Sequence, residues 1–351
     1  MSDRQDTRIT DLFGIELPVI QAPMAGATTP EMVIAASEAG GLGSLPGALS
    51  SVEQLRAALE QVRQATRKPI NLNFFTHTPR APDPAREMAW RARLAPYYVE
   101  QGLDPAQPMP AAGRAPFDAR YCALVEEYRP EVVSFHFGLP EPGLLDRVRG
   151  TGARIIASAT TVAEARWLAE RGIDAVIAMG LEAGGHRGNF LADDMSSQVG
   201  TMALVPQVAD AVDLPVIAAG GIADPRGVRA AFALGASAVQ VGTAYLLTPE
   251  AKVAAFHRQA LKTARDDGTA LTNLFTGRPA RSIMNRLMRE LGPLCAAAPA
   301  FPTAGGALAP LRAVTEKAGN PDFSNMWAGQ AAGLARERST AELTRYLARA
   351  G

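Results

Sequence analysis

Short apolar runs rich in β-branched residues recur along the chain, each followed by an alanine-rich stretch whose apolar positions repeat with a helical period. Eight runs carry this pattern: LPVIQA (17–22), GLGSLP (41–46), PINLNFF (69–75), EVVSFHF (131–137), ARIIASA (153–159), DAVIAMG (174–180), LPVIAAG (214–220) and SAVQVG (237–242). Strand followed by helix, repeated, predicts βα units and a parallel sheet. Helix starts are marked at Thr29-Pro30, Ser50/Ser51, Thr160/Thr161 and Asp224-Pro225, where a side-chain oxygen can cap orphan N–H groups and proline suits the first turn. Gly40, Gly172 and Gly235 stand where left-handed helix stops belong. Eight units in residues 11–75 and 131–250 fit an α/β fold of the (β/α)8 TIM-barrel type, with an open doubly wound sheet as the alternative.

Two stretches break the repeat. Residues 76–130 are proline-rich around one amphipathic helix, with Trp90, Leu94, Tyr97 and Tyr98 on one face. Loops that follow barrel strands lie on the catalytic face, so this insertion after the third strand is expected over the site as a lid or wall; a packed surface elaboration is the alternative. Residues 251–330 read as a mostly helical subdomain over the site, and 331–351 as a closing C-terminal helix. Arg278, Arg281, Arg286 and Arg289 fit either an anion or nucleic-acid patch or, by preference, a carboxylate-paired helix face.

The composition narrows the function class. Among 351 residues, 47% are hydrophobic and 20% charged, with 35 Lys+Arg against 35 Asp+Glu, which argues against disorder, a polyelectrolyte tail and nucleic acid as the main partner. Cys122 and Cys295 lie far apart without a CxxC or a neighbouring histidine, so neither a disulfide framework nor a zinc site is expected. The first residues lack an apolar leader, and later apolar runs are too short to span a membrane, so a soluble cytoplasmic protein acting on small molecules is expected. A homo-oligomer is left open.

Candidate chemistry gathers at strand ends. Gly220-Gly221 after the seventh run and Gln240-Val241-Gly242-Thr243 after the eighth sit where many barrels hold phosphate, because glycine admits close backbone approach and the next helix adds its positive end. GLEAGGHRGNF (180–190) follows the sixth run and presents His186, which suits a general base or an oxyanion hydrogen-bond donor; a turn histidine is the plain alternative. His136 ends the fourth run, sharing a face with Ser134 while Phe135 and Phe137 take the other; a buried core histidine competes with a pocket role. His77 and His257 read as structural or surface residues. Ala22-Pro23-Met24 after the first run, with Asn73 in the third, suit the edge of a flat heteroaromatic ring, and with the phosphate loops they point to FMN.

Beyond these features, QAPMAG (21–26), NLNFFTHTP (71–79), VSFHFGLP (133–140), GLEAGGHRG (180–188), AAGGIAD (218–224) and QVGTAYL (240–246) together resemble, in order, the motifs of the bacterial nitronate monooxygenases, formerly 2-nitropropane dioxygenases. FTGRPAR (275–281) and WAGQAAGL (327–334) extend the likeness. The resemblance implies a TIM barrel with non-covalent FMN that oxidises alkyl nitronates with O2 to carbonyl compounds and nitrite, without nicotinamide. It implies flavin contacts from Met24 and its neighbours Ala22 and Pro23, and from Asn73, Gly184, Gly185, Gly220, Gly221, Gln240, Val241, Gly242 and Thr243. It also implies His186 as base or nitronate donor, with His136 lining the pocket. One position departs: Met179 stands where many members have glutamine, and a thioether cannot donate to the flavin. An FMN-dependent NAD(P)H reductase of quinones or enoyl thioesters, and a flavin-free barrel binding a phosphorylated metabolite, are the competing readings.

Overall fold

The computed structural model describes residues 6–81, 83–110 and 114–349. Eight short parallel strands form the central sheet: β1 (Val19–Gln21), β2 (Gly43–Pro46), β3 (Ile70–Phe75), β4 (Val132–His136), β5 (Arg154–Ala159), β6 (Ala175–Met179) and, after a two-residue strand β7 (Gly185–His186) that lies outside it, β8 (Val216–Ala219) and β9 (Ala238–Val241). The order β1-β9-β8-β6-β5-β4-β3-β2 follows the chain around a circle. Leu42 closes it, donating its N–H to Val19 at 3.0 Å and accepting from the Gln21 N–H at 2.9 Å. The fold is therefore a (β/α)8 barrel, and the open-sheet alternative is excluded.

After α1 (Arg8–Phe13), the helices α2 (Pro30–Glu38) and α3 (Val52–Ala65) follow the first two strands, and the insertion helix α4 (Pro84–Glu100) precedes α5 (Ala119–Tyr128). Next come α6 (Pro142–Gly150), α7 (Val162–Ala169), α8 (Thr201–Ala209) and α9 (Pro225–Ala233). Helix starts lie at the expected caps: Thr29, Ser51, Thr161 and Asp224 each accept from a first-turn N–H, and Ser51 with Gln54 completes a reciprocal capping box. Gly40, Gly172 and Gly235 all take left-handed backbone.

Side-chain alternation divides the barrel into two cores. Val133, Phe135, Ile155, Ala157, Val176, Val216 and Val239 face the helices. Ile20, Val132, Ile156, Ile177, Ile217 and Ala238 face inward, where Ile9 and Phe13 of α1 plug the N-terminal end. Further along, the inward positions turn polar, and those positions form the mouth.

After β9 a 3-10 turn (Thr243–Leu247) leads to α10 (Ala255–Lys262), then to β10 (Thr269–Thr272) and β11 (Ala280–Ile283), followed by α11 (Arg286–Leu291), α12 (Ala309–Lys317) and α13 (Thr340–Ala348). β10, β11 and β7 form a small antiparallel sheet that the hydrophobic pattern does not announce. The arginines near it do not share a helix face as expected. Arg281 is buried in β11 and donates to the Leu181 carbonyl, and Arg278 precedes that strand, whereas Arg286 pairs with Glu100 and Glu290 in the anticipated way.

The apolar face of α4 packs on this C-terminal segment. Trp90, Leu94, Tyr97 and Tyr98 join Leu274, Phe275, Leu287, Met288 and Phe323 in a separate core, with the Trp90 indole N–H donating to Ala304 O at 3.1 Å and the Tyr98 hydroxyl to Ala307 O at 2.6 Å. Among the described residues no helix is long and apolar enough to cross a membrane. Trp90→Ala is expected to cost about 3–5 kcal/mol, because it empties the centre of that separate core and strands a carbonyl. Equilibrium unfolding in urea checks this, and a loss under about 1 kcal/mol would contradict the packing described.

Candidate active site

Alternation along four strands delivers a polar set to one end of the barrel. β3 points Asn71, Asn73 and Phe75 inward, β4 points Ser134 and His136, β5 points Ser158, and β9 points Gln240, since their sequence neighbours lie in the outer core. Parity holds up to His136 and then breaks. Phe137 has a φ of 77°, rare for a residue with a large side chain, so its ring leaves the outer face that alternation assigns it. It folds over the mouth instead, 4.7 Å from the Phe75 ring and 4.4 Å from that of His136. Backbone strain of this kind concentrates at functional sites.

His136 is committed at both ring nitrogens. Nε2 lies 3.1 Å from the carbonyl oxygen of His186, which can only accept, so Nε2 carries the proton and Nδ1 accepts from the Ser158 hydroxyl at 2.6 Å. Burial, with Arg278 nearby, pushes its pKa down to about 3. A Cβ on Gly188 would lie 2.8 Å from both the His136 ring and the Ser158 hydroxyl, so glycine is needed there for the pair to form. His136 thus holds the backbone that bears His186 and has no free nitrogen for substrate.

His186 sits on β7, whose partners in β11 are Ala280 and Arg281, and the turn before it uses left-handed Gly185. Its Nε2 lies 2.9 Å from Thr276 Oγ1, whose own proton is directed at the Arg278 carbonyl at 3.4 Å. Nε2 therefore donates to Thr276, and Nδ1 keeps its lone pair. Phe301, Trp327, Phe75 and Phe137 surround the imidazole at ring-centre distances of 5.5, 5.4, 6.0 and 6.1 Å. Burial, reinforced by the positive charges of Arg114 and Arg278, holds its pKa well below the ordinary histidine value, so the side chain is neutral.

His77, expected to be structural or at the surface, joins this cluster. It is 6% exposed, its ring lies 4.8 Å from Phe301, and desolvation lowers its pKa to about 4. Arg278 stacks on Phe137 at 4.1 Å and donates to the carbonyls of Arg187 and Asn189. Ser158, His77, Thr276, Phe301 and Trp327 were missed from sequence. The inward parity that picks out His136 also picks out Ser158, and His77 lies two residues past β3 at the mouth; Thr276 and Trp327 fall within FTGRPAR and WAGQAAGL, whose motif likeness assigns them no role, whereas Phe301 comes from a distant loop with no local signal.

The glycine-rich strand ends lie beside this cluster. Gly220 and Gly221 both have positive φ, at 111° and 73°. The nearest α-helix starts are already capped by carboxylates: Glu182 accepts from the Thr201 N–H at the head of α8, and Asp224 accepts from Arg226 and Gly227 at the head of α9. Both of these helix ends are therefore occupied by the chain's own side chains. A Cβ on Gly242 would meet only Ala22 Cβ at 3.5 Å and Met24 Sδ at 3.7 Å, whereas a Cβ on Gly184 would collide with Gly329 N at 2.5 Å. Gly184 is thus needed for the close approach of the 327–334 segment, which also donates the Gly329 N–H to Thr243 Oγ1 at 2.9 Å.

Several amide and backbone groups nearby are spent. The Asn73 amide N–H donates to Ser134, the Met24 N–H to Thr28 and the Ala22 N–H to Val241 O, and Val241 turns its side chain to the outer core. Pro23 has no N–H to offer. In contrast, the Gln240 Oε1 is buried and has no partner among the described residues. Met179 ends β6 nearly buried, and its carbonyl accepts from Arg187.

Comparison with known proteins agrees with this geometry. Residues 6–349 match the family model described as nitronate monooxygenase. The chain is 44% identical to a nitronate monooxygenase of Pseudomonas aeruginosa over 97% of each protein, and 39% identical to one of Paraburkholderia phytofirmans over 99% of this chain and 96% of the relative. Among solved structures, a nitroalkane oxidase from Streptomyces ansochromogenes superposes with a TM-score of 0.87 at 37% identity over 97% of each chain. FabK from Thermotoga maritima superposes with a TM-score of 0.72 at 28% identity over 99% of this chain and 96% of that one. With a family match over residues 6–349 and 44% identity to a nitronate monooxygenase across 97% of both proteins, this chain belongs to the nitronate monooxygenase family of oxidoreductase enzymes.

Proposed function

We propose that this protein oxidises alkyl nitronates with O2 to carbonyl compounds and nitrite, using FMN held across the mouth of the barrel. The observation that carries the reading is His186, a neutral imidazole with a free Nδ1 in an aromatic enclosure flanked by arginines. The residues at the mouth fit a flavin. Gln240 offers a buried amide oxygen that has no partner among the described residues, Gly242 leaves an open cradle floored by Ala22 and Met24, and Gly220-Gly221 present left-handed backbone suited to a phosphate. Ala22, Pro23 and Met24 would pack against the ring system, since their backbone groups are engaged or missing. Asn73 would contribute through its carbonyl oxygen, while Val241, Thr243, Gly184 and Gly185 would shape the cradle through the backbone. Met179 would pack against the cofactor where glutamine would donate.

When bound, FMN supplies the electron acceptor that the nitronate needs. The chain's own part is to bind the anion, exclude water and manage one proton. With a neutral nitroalkane, Nδ1 of His186 accepts the acidic α-proton; the imidazolium so formed then donates that N–H to a nitronate oxygen. Arg114 and Arg278 disfavour the imidazolium but favour the substrate anion, so the positive surroundings stabilise the nitronate and keep the resting base neutral. His136 acts as a positioning residue through the His186 carbonyl. Residues 76–130 and 251–330, joined by their separate core, would form the cover that keeps the site dry.

Oxygen uptake by the flavin-loaded protein tests the reading. Adding an alkyl nitronate without NAD(P)H is expected to start uptake with release of nitrite, and uptake that required NAD(P)H would overturn it. In the same assay His186→Asn is expected to keep its flavin but lose about 100-fold or more of its turnover on neutral nitroalkanes; full activity would remove the base assignment. Gly242→Glu places a carboxylate in an open cradle, so the fold should survive while the flavin is lost. A folded variant that purifies fully loaded, judged by circular dichroism and visible absorbance, would move the cofactor elsewhere.

A further inference from the structure

A cavity of about 160 Å³ lies where α9 and α13 pack together, and it shares no lining residue with the cluster around His186. Three arginines line it from separate parts of the chain: Arg226 from the first turn of α9, and Arg336 and Arg338 from the stretch between the Gln330–Leu334 turn and α13. Asp224 is the one carboxylate on the wall, and it is committed. It caps the N–H groups of Arg226 and Gly227 and pairs with the Arg226 side chain. Arg336 spends only its Nη1, on the carbonyls of Gly333 and Ala335. The Arg338 guanidinium lies 4.2 Å from the Tyr346 ring centre, and its Nε is buried with no partner among the described residues. The wall therefore carries an excess of two positive charges. A buried donor without an acceptor is costly, and a bound acceptor would offset that cost; stacking on Tyr346 holds the Arg338 fork in place beforehand.

We infer that this cavity binds the phosphate group of a small phosphate ester, at a site separate from the flavin. A phosphate monoester carries about 1.5 to 2 negative charges at neutral pH and three acceptor oxygens, which matches the charge excess and the three guanidinium groups better than a single carboxylate does. Leu334, Leu343 and the Tyr346 ring supply an apolar wall for the carbon skeleton of the ester. Arg336 and Arg338 continue the segment that brings Trp327 to His186 and Gly329 to Thr243, so an occupied cavity would tie that segment to α9. The inference stands apart from the nitronate reaction, because it involves neither His186 nor the electron acceptor.

Calorimetric titration of the flavin-loaded protein with glycerol 3-phosphate at constant ionic strength tests the site, with glycerol as the uncharged comparison. The phosphate ester is expected to bind and glycerol is not. Arg338→Met and Arg336→Met are each expected to weaken binding about tenfold or more, whereas Arg93→Met, which removes an exposed arginine of α4 that is not on the cavity wall, should leave it within about twofold. Arg336 is exposed, so its variant decides the matter if Arg338→Met does not fold. No binding to the parent, glycerol binding as tightly as its phosphate, or equal effects of all three variants would overturn the site. So would loss of flavin, read by visible absorbance, from an arginine variant that circular dichroism shows to be folded, because the cavity would then serve the flavin's own phosphate.

Discussion

One hydrogen bond, from the His136 ring to the backbone carbonyl of His186, ties the loop that bears His186 to a strand of the barrel and fixes where its imidazole stands. His136 belongs to a strand and inherits the rigidity of the sheet, whereas His186 rides on a glycine-rich loop that has little stiffness of its own. Ser158, one strand over, fixes the tautomer of His136 and so its ability to donate. From the other side β11 pairs with β7, Arg281 holds the Leu181 carbonyl, and the buried Arg187 holds those of Met179 and Gly180. The loop is thus pinned from the barrel strands and from the C-terminal segment, and its glycines serve close approach as much as freedom.

Burial and charge set the protonation of the site in the same direction. The aromatic enclosure removes water from His186, and the arginines nearby add a like-charge penalty to its protonated form. Both lower the pKa, so the deprotonated base is retained well into mildly acidic conditions and is lost only as the pH falls far below the usual histidine range. The same positive field attracts an anion.

Much of the barrel was legible in the chain because its signals are local. β-branched runs, capping side chains and glycine stops each act over a few residues, and all eight strands and four of the helix starts follow from them. The inward facing of His136 was legible because parity along a barrel strand fixes it, whereas His186 lies on β7, beyond the barrel sheet, and its direction is set by pairing with β11. Phe137 was misread because alternation assumes extended backbone, and its left-handed φ is set by packing against Phe75 and His186. β10 and β11 carry no clean alternation, since both faces of that small sheet are partly covered, and Arg278 and Arg281 were accordingly placed on a helix. The enclosure itself is assembled from Phe75, Phe137, Phe301 and Trp327, which meet only once the insertion and the C-terminal segment have packed together.

The account depends most on the protonation of the histidines, and the chain has only four. Nitrogen-15 correlation spectra of the histidine-labelled, flavin-loaded protein, recorded from pH 8 down to pH 5.5, read each tautomer directly. His136 and His186 are expected to remain neutral throughout with the proton on Nε2, and the unprotonated Nδ1 of His186 should shift when an anionic ligand is added. A His186 signal that titrates near pH 6.5, or one that carries its proton on Nδ1, would contradict the account.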